Sequence, residues 1–188
     1  LDSILFIPAS EPPHKKDRII APIQDRIAML ECAVSLYPGF FVSSIEARRP
    51  GPSYSIDTLK GLRKRLAAQC TIFFIIGLDA FVEIASWKQY NLLLDEAHFV
   101  VISREEYGLE SLGDVMRQHF SCYAYSDDER SWTMGGERGM IYPFFLEPIH
   151  VSSTEVRRLL LADASIGEMV PSCVEEYIRD NRLFVDGH

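Results

Sequence analysis

The sequence predicts an α/β fold with a doubly wound parallel sheet. Short, continuous apolar runs at residues 3–8 (SILFIP), 70–77 (CTIFFIIG) and 97–103 (AHFVVIS) have the character of strands covered on both faces. Helical patterns lie between them, and this alternation is typical of a parallel sheet flanked by helices. With 188 residues, of which 47% are apolar, the chain suits one core, so residues 1–188 are predicted to form a single domain.

The connecting segments follow in order. Apolar residues at helical spacing predict a helix over residues 23–37, and the alternation in FFVSSIE predicts a strand over 40–46. SIDTLKGLRKRLAAQ, residues 55–69, reads as an amphipathic helix whose basic residues face mostly toward solvent. LGDVMRQHF, residues 112–120, predicts a further helix, and the polar residues 126–139 predict a loop.

The C-terminal part is predicted to be helical from about residue 152. Ser152 precedes Glu155 by three positions, and Ser172 precedes Glu175 by the same interval. Each pair matches a capping box, in which the hydroxyl and the carboxylate satisfy backbone N–H groups at a helix start. Two helices are therefore predicted here, with Ser152 and Ser172 as their N-caps.

Charge and cysteine spacing exclude several classes of function. The net charge of −8 and pI near 5.1 disfavour a nucleic-acid or anionic-membrane surface, so an anionic ligand should be small and held locally. No apolar run approaches the roughly 20 residues that span a bilayer, and no signal peptide opens the chain.

The four cysteines are widely spaced without a metal-site pattern, which predicts reduced thiols and a cytoplasmic location. The cysteines are Cys32, Cys70, Cys122 and Cys173.

The helix start in VSSTEVRRLL is a candidate anion site. At 100° per residue, Ser153, Thr154 and Arg157 share one face, opposite the apolar residues that follow. That face offers free backbone N–H groups, two hydroxyls, a guanidinium and the positive end of the helix dipole. A plain capped helix, with no ligand, is the alternative.

Two further features follow predicted strands, where open parallel sheets bind ligands. Pro12 and Pro13 stiffen the chain just before His14 and Lys15. The two cationic side chains would therefore lose little conformational entropy on binding a ligand. The alternative is that His14 and Lys15 are simply exposed residues. In the second feature, the GLDAF segment, Gly77 lets the backbone approach a ligand closely, and the carboxylate of the aspartate two positions later could accept bonds from ribose hydroxyls.

Both aromatic and acidic candidates in this region have structural alternatives. Asp79 could instead be the N-cap of a helix over residues 80–86. Trp87 offers a flat face for stacking against a ring, but a tryptophan after a helix could equally belong to the core.

Taken together, the motifs resemble those of bacterial nicotinate mononucleotide adenylyltransferases over nearly the whole chain. The resemblance is carried by seven segments in order: IPASEPPHK (7–15), DRIAML (25–30), RRPGPSYSIDTL (48–59), FFIIGLDAF (73–81), SWKQYNLLL (86–94), VSSTEVRRLL (151–160) and VPSCVEEYI (170–178). It implies a Rossmann-like nucleotidyltransferase fold and adenylyl transfer from ATP to nicotinate mononucleotide, giving nicotinate adenine dinucleotide and pyrophosphate in NAD biosynthesis. Mg²⁺, held mainly by the substrate phosphates, is the expected cofactor.

The resemblance also implies the roles of individual residues. The ATP phosphates would be bound by Ser153, Thr154 and Arg157. The phosphate of nicotinate mononucleotide would be bound by His14 and Lys15.

Other matched positions would hold the rest of nicotinate mononucleotide. Arg104 would assist with its phosphate, Asp79 beside Gly77 would meet the ribose, and Trp87 would stack on the pyridine. Ser55 and the backbone amide of Lys88 would hold the nicotinate carboxylate.

The chain departs from the family in one respect. The family begins with a strand and a GGxFDPxHxGH loop, and no HxGH pattern surrounds any of the histidines His14, His98, His119, His150 and His188. The expectation is an N-terminally incomplete chain that binds its substrates poorly and turns over slowly or not at all.

Three alternatives remain open. One is a non-catalytic nucleotide-binding module that has lost its catalytic loop. The others are sister adenylyltransferases that use nicotinamide mononucleotide or pantetheine phosphate. ATP and nicotinate mononucleotide are the predicted partners, no nucleic acid or membrane is expected, and an oligomer is possible.

Overall fold

A computed structural model describes residues 1–11, 20–104, 108–136, 138–149 and 151–184. Its contacts divide the chain into two compact units. The first comprises Leu1–Ser53 and His150–His188, and the second comprises Tyr54–Ile149. The single domain proposed for residues 1–188 stays a prediction.

Seven strands and seven α-helices make up the described structure. The strands are β1 (Ile4–Phe6), β2 (Phe40–Val42), β3 (Phe73–Gly77), β4 (His98–Ser103), β5 (Ala124–Ser126), β6 (Ser131–Thr133) and β7 (Ile141–Phe145). The helices are α1 (Ile23–Val34), α2 (Ser55–Arg63), α3 (Leu78–Val82), α4 (Leu93–Glu96), α5 (Gly108–His119), α6 (Ser153–Leu161) and α7 (Ser172–Asp180). Short 3₁₀ turns, Ile84–Ser86 and Tyr90–Leu92, connect α3 to α4. No helix among the described residues is both long and apolar enough to span a bilayer.

The first unit joins a two-stranded sheet to a helical core. β1 and β2 pair in parallel, with Ile4 opposite Phe40. The buried residues of α6, α7 and the segment between them form the core, and apolar residues of α1 pack against it. Burial of these side chains on one face of each helix is what holds the helices together. The buried members are Leu160, Ile166, Val174 and Ile178.

A disulfide joins α1 to α7 in this unit. Cys32 and Cys173 are 141 positions apart in sequence, yet their Cα atoms lie 6.2 Å apart and their sulfurs are bonded. The prediction of four reduced thiols is therefore wrong for this pair, because packing of the two helices places the cysteines within bonding range. Cys70 and Cys122 are free.

The second unit contains a five-stranded sheet in the order β3-β4-β7-β6-β5. β3, β4 and β7 are parallel to one another, whereas β6 and β5 add an antiparallel edge. Side chains from the sheet pack with those of α2, α3, α4 and α5 in a core that includes Ile56, Phe81, Phe99 and Ile141. The prediction of an α/β fold built on a mainly parallel sheet is confirmed, and the antiparallel edge occupies part of the region predicted to be a loop.

Two predicted helices are shorter than expected. α1 ends at Val34 rather than at residue 37, and α2 ends at Arg63 rather than at residue 69. The sequence predicts that the basic residues of this helix face mostly toward solvent, but Arg63 is half-buried. Its guanidinium donates to the carbonyl oxygens of Cys70, at 2.8 Å, and Glu96, at 3.0 Å. These bonds satisfy the last carbonyl of α4 and tie the end of α2 to the residues just before β3.

The predicted caps have different outcomes. Ser152 is the N-cap of α6, and its Oγ accepts a hydrogen bond of 3.1 Å from the backbone N–H of Glu155. Ser172, in contrast, is the first helical residue of α7, and Pro171 occupies the N-cap position. The carboxylate of Glu175 accepts from the backbone N–H of Ile166 instead, which lowers the pKa of Glu175. The prediction of a capping box at Ser172 and Glu175 is therefore wrong.

Candidate functional site

The start of α6 has the features that the sequence predicts for an anion site. Ser153 and Thr154 are exposed in the first turn, and Arg157 follows one turn later. Because the Ser152 side chain accepts from Glu155, the backbone N–H groups of Ser153 and Thr154 are the ones left without an acceptor in the helix. Two exposed hydroxyls, the half-buried guanidinium of Arg157 and the positive end of the helix dipole therefore share this helix end.

The two arginines of α6 differ in their electrostatic surroundings. Arg158 donates to Glu155 through Nε, at 2.8 Å, and through Nη2, at 2.7 Å. This pairing lowers the pKa of Glu155 and raises the pKa of Arg158. Arg157 instead lies over the ring of Phe184, with its guanidinium carbon 5.6 Å from the ring centroid. No carboxylate within the described ranges pairs with Arg157, so its charge is available to an anion.

A second group of predicted residues lies at the carboxyl edge of the five-stranded sheet. Gly77 ends β3 opposite Ile102 of the parallel strand β4, and Arg104 comes just after β4. Asp79 lies in the first turn of α3, whose N-cap is Gly77, so the alternative of Asp79 as an N-cap is wrong. Adjacent strand ends thus place Asp79 and Arg104, both exposed, at the same edge of the sheet.

Gly77 leaves room for the neighbouring carboxylate. A Cβ added at this residue would collide with Oδ1 of Asp79. The absence of a side chain at Gly77 therefore allows the Asp79 carboxylate to turn back over the end of β3.

Trp87 is half-buried against the core of the second unit. Its ring meets Phe74 edge-on, with 6.3 Å between centroids, and its backbone N–H donates to the carbonyl oxygen of Ile84 at 2.9 Å. The core interpretation therefore holds for part of the indole, while the rest remains accessible. Its stacking on a pyridine ring stays a prediction.

Lys88 connects the segment after Trp87 to the start of α2. Its Nζ lies 2.8 Å from Oδ2 of Asp57 and 4.6 Å from the centroid of the Tyr54 ring. Ser55, the predicted contact for a carboxylate, is the first residue of α2 and precedes Asp57 by two positions. The ion pair thus brings together the chain segments that carry Ser55 and Lys88.

His14 and Lys15 lie outside the described residues, but the chain on either side of them is described. Arg26 hydrogen-bonds the carbonyl oxygens of Ala9, Ser10 and Ala21, and Ser53 bonds to the backbone of Ser10 and Glu11. The sequence alone predicts no role for Arg26, Ser53 or Asp57. The sequence marks these three residues only by placing them within the segments that carry the family resemblance. Their roles could not be predicted, because each residue bonds to a partner that is distant in sequence.

The described residues contain no group of three or more histidine, cysteine, aspartate or glutamate side chains that could hold a metal ion. The predicted site residues fall into two groups. Ser153, Thr154 and Arg157 belong to the first unit, whereas Ser55, Gly77, Asp79, Trp87, Lys88 and Arg104 belong to the second. Their convergence on one ligand stays a prediction.

The fold and these motifs define a class of nucleotide-transferring protein. The model of the cytidylyltransferase-like family matches residues 1–159 of the chain. A solved structure described as Plasmodium falciparum nicotinic acid mononucleotide adenylyltransferase complexed with NaAD superposes with a TM-score of 0.68 at 16% identity, covering 98% of this chain and 83% of that one. This likeness shows the fold and confirms the predicted nucleotidyltransferase architecture.

Bacterial relatives are more similar in sequence. A probable nicotinate-nucleotide adenylyltransferase of Geotalea uraniireducens is 34% identical over 99% of this chain and 86% of its own length. A protein of the same description from Syntrophotalea carbinolica is 36% identical over 98% of this chain and 84% of its own length. The chain belongs to the cytidylyltransferase-like family and, within it, to the nicotinate-nucleotide adenylyltransferases.

Proposed function

We propose that the protein transfers the adenylyl group of ATP to nicotinate mononucleotide, producing nicotinate adenine dinucleotide and pyrophosphate in NAD biosynthesis. The observation that carries this proposal is the similarity to relatives described as nicotinate-nucleotide adenylyltransferases, at 34% and 36% identity over almost the whole chain. The hydroxyls and guanidinium at the start of α6, together with the exposed side chains of Asp79 and Arg104 at the edge of the sheet, would supply the chemistry that such a substrate pair requires.

The reaction needs no protein nucleophile. A phosphate oxygen of nicotinate mononucleotide attacks the α-phosphorus of ATP in line, a new P–O bond forms, and the bond to the β-phosphate oxygen breaks as pyrophosphate leaves. Transfers of this kind depend on positioning and charge neutralisation. Ser153, Thr154 and Arg157 would bind the ATP phosphates through hydroxyls, backbone N–H groups and a guanidinium.

A second set of residues would bind nicotinate mononucleotide. His14 and Lys15 would neutralise its phosphate with help from Arg104. Asp79 would accept from the ribose hydroxyls, an arrangement favoured by the way its carboxylate lies over Gly77.

The nicotinate ring would bind beside α2. The accessible part of Trp87 would stack on the pyridine. Ser55 and the backbone amide of Lys88 would donate to the nicotinate carboxylate. The Lys88–Asp57 ion pair supports this role because it ties the two donor-bearing segments together.

Mg²⁺ is proposed to arrive with ATP. The described residues lack a cluster of metal-ligating side chains, so phosphate oxygens and water would supply most of its ligands, in keeping with the reluctance of this ion to dehydrate. We further propose that the enzyme works in the cytoplasm, where ATP is supplied.

The proposal is tested by incubating the protein expressed from its complete gene with MgATP and nicotinate mononucleotide and separating the products by chromatography. Nicotinate adenine dinucleotide and pyrophosphate should form in equal amounts. Parallel reactions with nicotinamide mononucleotide and with pantetheine phosphate should be much slower, and preference for either would replace the proposed substrate with that of a sister enzyme.

A non-catalytic module is the second candidate, because no histidine in the chain lies in an HxGH pattern. Calorimetry distinguishes it from the enzyme. Binding of both MgATP and nicotinate mononucleotide without any product would establish the module, whereas product formation would exclude it.

A further inference from the structure

A tight turn over residues 87–90 carries the ring of Trp87 and the backbone amide of Lys88. The turn is closed by the backbone N–H of Tyr90, which donates to the carbonyl oxygen of Trp87 at 3.2 Å. At Gln89 the backbone has a φ of 50° and a ψ of 42°, in the left-handed region that is unfavourable for a residue with a side chain. Such a conformation persists where neighbouring contacts hold it in place.

Two side chains of α2 supply contacts of this kind. Nζ of Lys88 lies 2.8 Å from Oδ2 of Asp57, and Nζ of Lys60 donates to Oε1 of Gln89 at 3.5 Å. Asp57 and Lys60 are three positions apart and therefore lie on the same face of the helix. Both central residues of the 87–90 turn are thus bonded to α2, and the shorter, charge-assisted bond to Asp57 is the stronger one.

The helix that holds the turn is itself fixed in the core of the second unit. Ile56 and Leu59, which flank Asp57, are 0% and 2% exposed. Tyr54, just before the helix, packs against the same core, and Nζ of Lys88 lies 4.6 Å from the centroid of its ring. α2 is therefore a rigid support, and Lys88 contacts it through both a carboxylate and an aromatic face.

The backbone N–H of Lys88 has no hydrogen-bond acceptor among the residues that the structure describes. We propose that Asp57 is a positioning residue, which holds the 87–90 turn against α2 and thereby raises the affinity for nicotinate mononucleotide. This inference rests on the proposed function, which gives the ring of Trp87 and the amide of Lys88 to the nicotinate group. Asp57 acts through the Lys88 side chain and touches no substrate.

Two other roles for the ion pair make different predictions. If Lys88 acts through its charge, by attracting the nicotinate carboxylate, loss of the Asp57 charge leaves that attraction less opposed and strengthens binding. If the pair only stabilises the second unit, its loss lowers the melting temperature and leaves the affinity unchanged. If the pair positions the turn, loss of either partner weakens binding, and loss of both weakens it no further.

The experiment uses the protein expressed from its complete gene and measures binding of nicotinate mononucleotide and MgATP by calorimetry, together with the melting temperature. Asp57→Asn, Lys88→Met and the double variant should each weaken nicotinate mononucleotide binding about fivefold, whereas independent effects would multiply to about 25-fold in the double variant. The Kd of MgATP should change less than about twofold in all three.

Two further variants serve as controls. Lys88→Arg keeps a cation that can pair with Asp57, so it should bind nicotinate mononucleotide within about twofold of the wild type. Asp114→Asn removes an exposed ion pair with Arg117 elsewhere in the second unit, and it should leave both Kd values unchanged.

Tighter nicotinate mononucleotide binding by Asp57→Asn would overturn the inference, as would multiplying losses in the double variant or equal weakening of both ligands. If Asp57→Asn does not fold, Asp57→Ser takes its place in the comparison. A wild-type protein that binds nicotinate mononucleotide, with variants that bind it equally well, overturns this inference alone. A wild-type protein that binds none overturns the proposed function and this inference with it.

Discussion

Arg157 and Arg158 are adjacent in α6 but have different partners. The Arg158 guanidinium pairs with the Glu155 carboxylate through two bonds of 2.8 and 2.7 Å, whereas the Arg157 guanidinium lies 5.6 Å from the Phe184 ring centroid. The helix therefore neutralises one cation and leaves its neighbour available to a ligand.

This difference supplies a matched pair of variants for the ATP site. Arg157→Ala should weaken MgATP binding by about 2 kcal/mol, or about thirtyfold, because bonds from a charged donor are lost. Arg158→Ala should change MgATP binding by less than about threefold, since exposed ion pairs contribute little. Equilibrium titration with MgATP provides the comparison, and equal effects of the two substitutions would remove Arg157 from the phosphate site.

Trp87 should contribute to both stability and substrate binding. The packed part of its indole predicts that Trp87→Ala lowers the free energy of unfolding by about 2 kcal/mol, less than for a fully buried ring. Loss of the accessible face should also weaken nicotinate mononucleotide binding about tenfold, in the range of one base–aromatic stack. Trp87→Phe, which keeps a ring, is the control. A Trp87→Ala variant that melts earlier but binds normally would leave only the core role.

Reduction of the Cys32–Cys173 disulfide should destabilise the protein. The bond joins positions 141 residues apart, and cross-links of this kind restrict the unfolded chain, typically by about 2–4 kcal/mol. Dithiothreitol should therefore lower the denaturation midpoint of the wild-type protein but not that of a Cys32→Ser/Cys173→Ser variant. A thiol titration of the unreduced, unfolded protein that finds four free thiols instead of two would contradict the disulfide.

His98 should make stability depend on pH. Its Nδ1 accepts from the backbone N–H of Met140 at 3.1 Å and its ring stacks on Phe73, so the folded protein favours the neutral imidazole. Burial, followed by the charge of Arg63, lowers the pKa of His98 below its ordinary value of 6.5. At a pH between the lowered pKa of the folded protein and the ordinary pKa of 6.5, the imidazole of His98 is protonated in the unfolded chain but stays neutral in the folded chain. The free energy of unfolding therefore decreases as the pH falls below about 6.5.

The contribution of His98 can be isolated by substitution. His98→Asn replaces the acceptor with a side chain that does not titrate, so its free energy of unfolding should change less between pH 7.5 and pH 5.5 than that of the wild type. Denaturant titrations at both pH values measure the difference. Parallel pH dependence in the two proteins would show that protonation of His98 is not coupled to unfolding.

Features that depend on neighbouring residues could be predicted from the sequence. Ser152 caps α6 as predicted because its partner, Glu155, is three positions away, and the apolar runs around residues 73–77 and 98–103 form adjacent parallel strands. The Cys32–Cys173 bond could not be predicted in this way, because no local pattern encodes the packing of α1 against α7.

Competition between local and distant partners explains the remaining differences. Glu175 matches a capping box in sequence, but folding offers its carboxylate the N–H of Ile166. Arg63 matches a solvated helix face, yet its guanidinium finds the carbonyl oxygens of residues 70 and 96. Arg26 is another such case, since its three acceptors lie 5 to 17 positions away along the chain.

Trp87, Asp79 and the start of α6 are proposed to bind the nucleotide product. A crystal structure of the protein with nicotinate adenine dinucleotide tests this directly. The ring should stack on Trp87, a ribose should bond to Asp79, and the phosphates should contact the α6 start at Ser153, Thr154 and Arg157. A dinucleotide bound away from α6, or a ring bound away from Trp87, would contradict the claim.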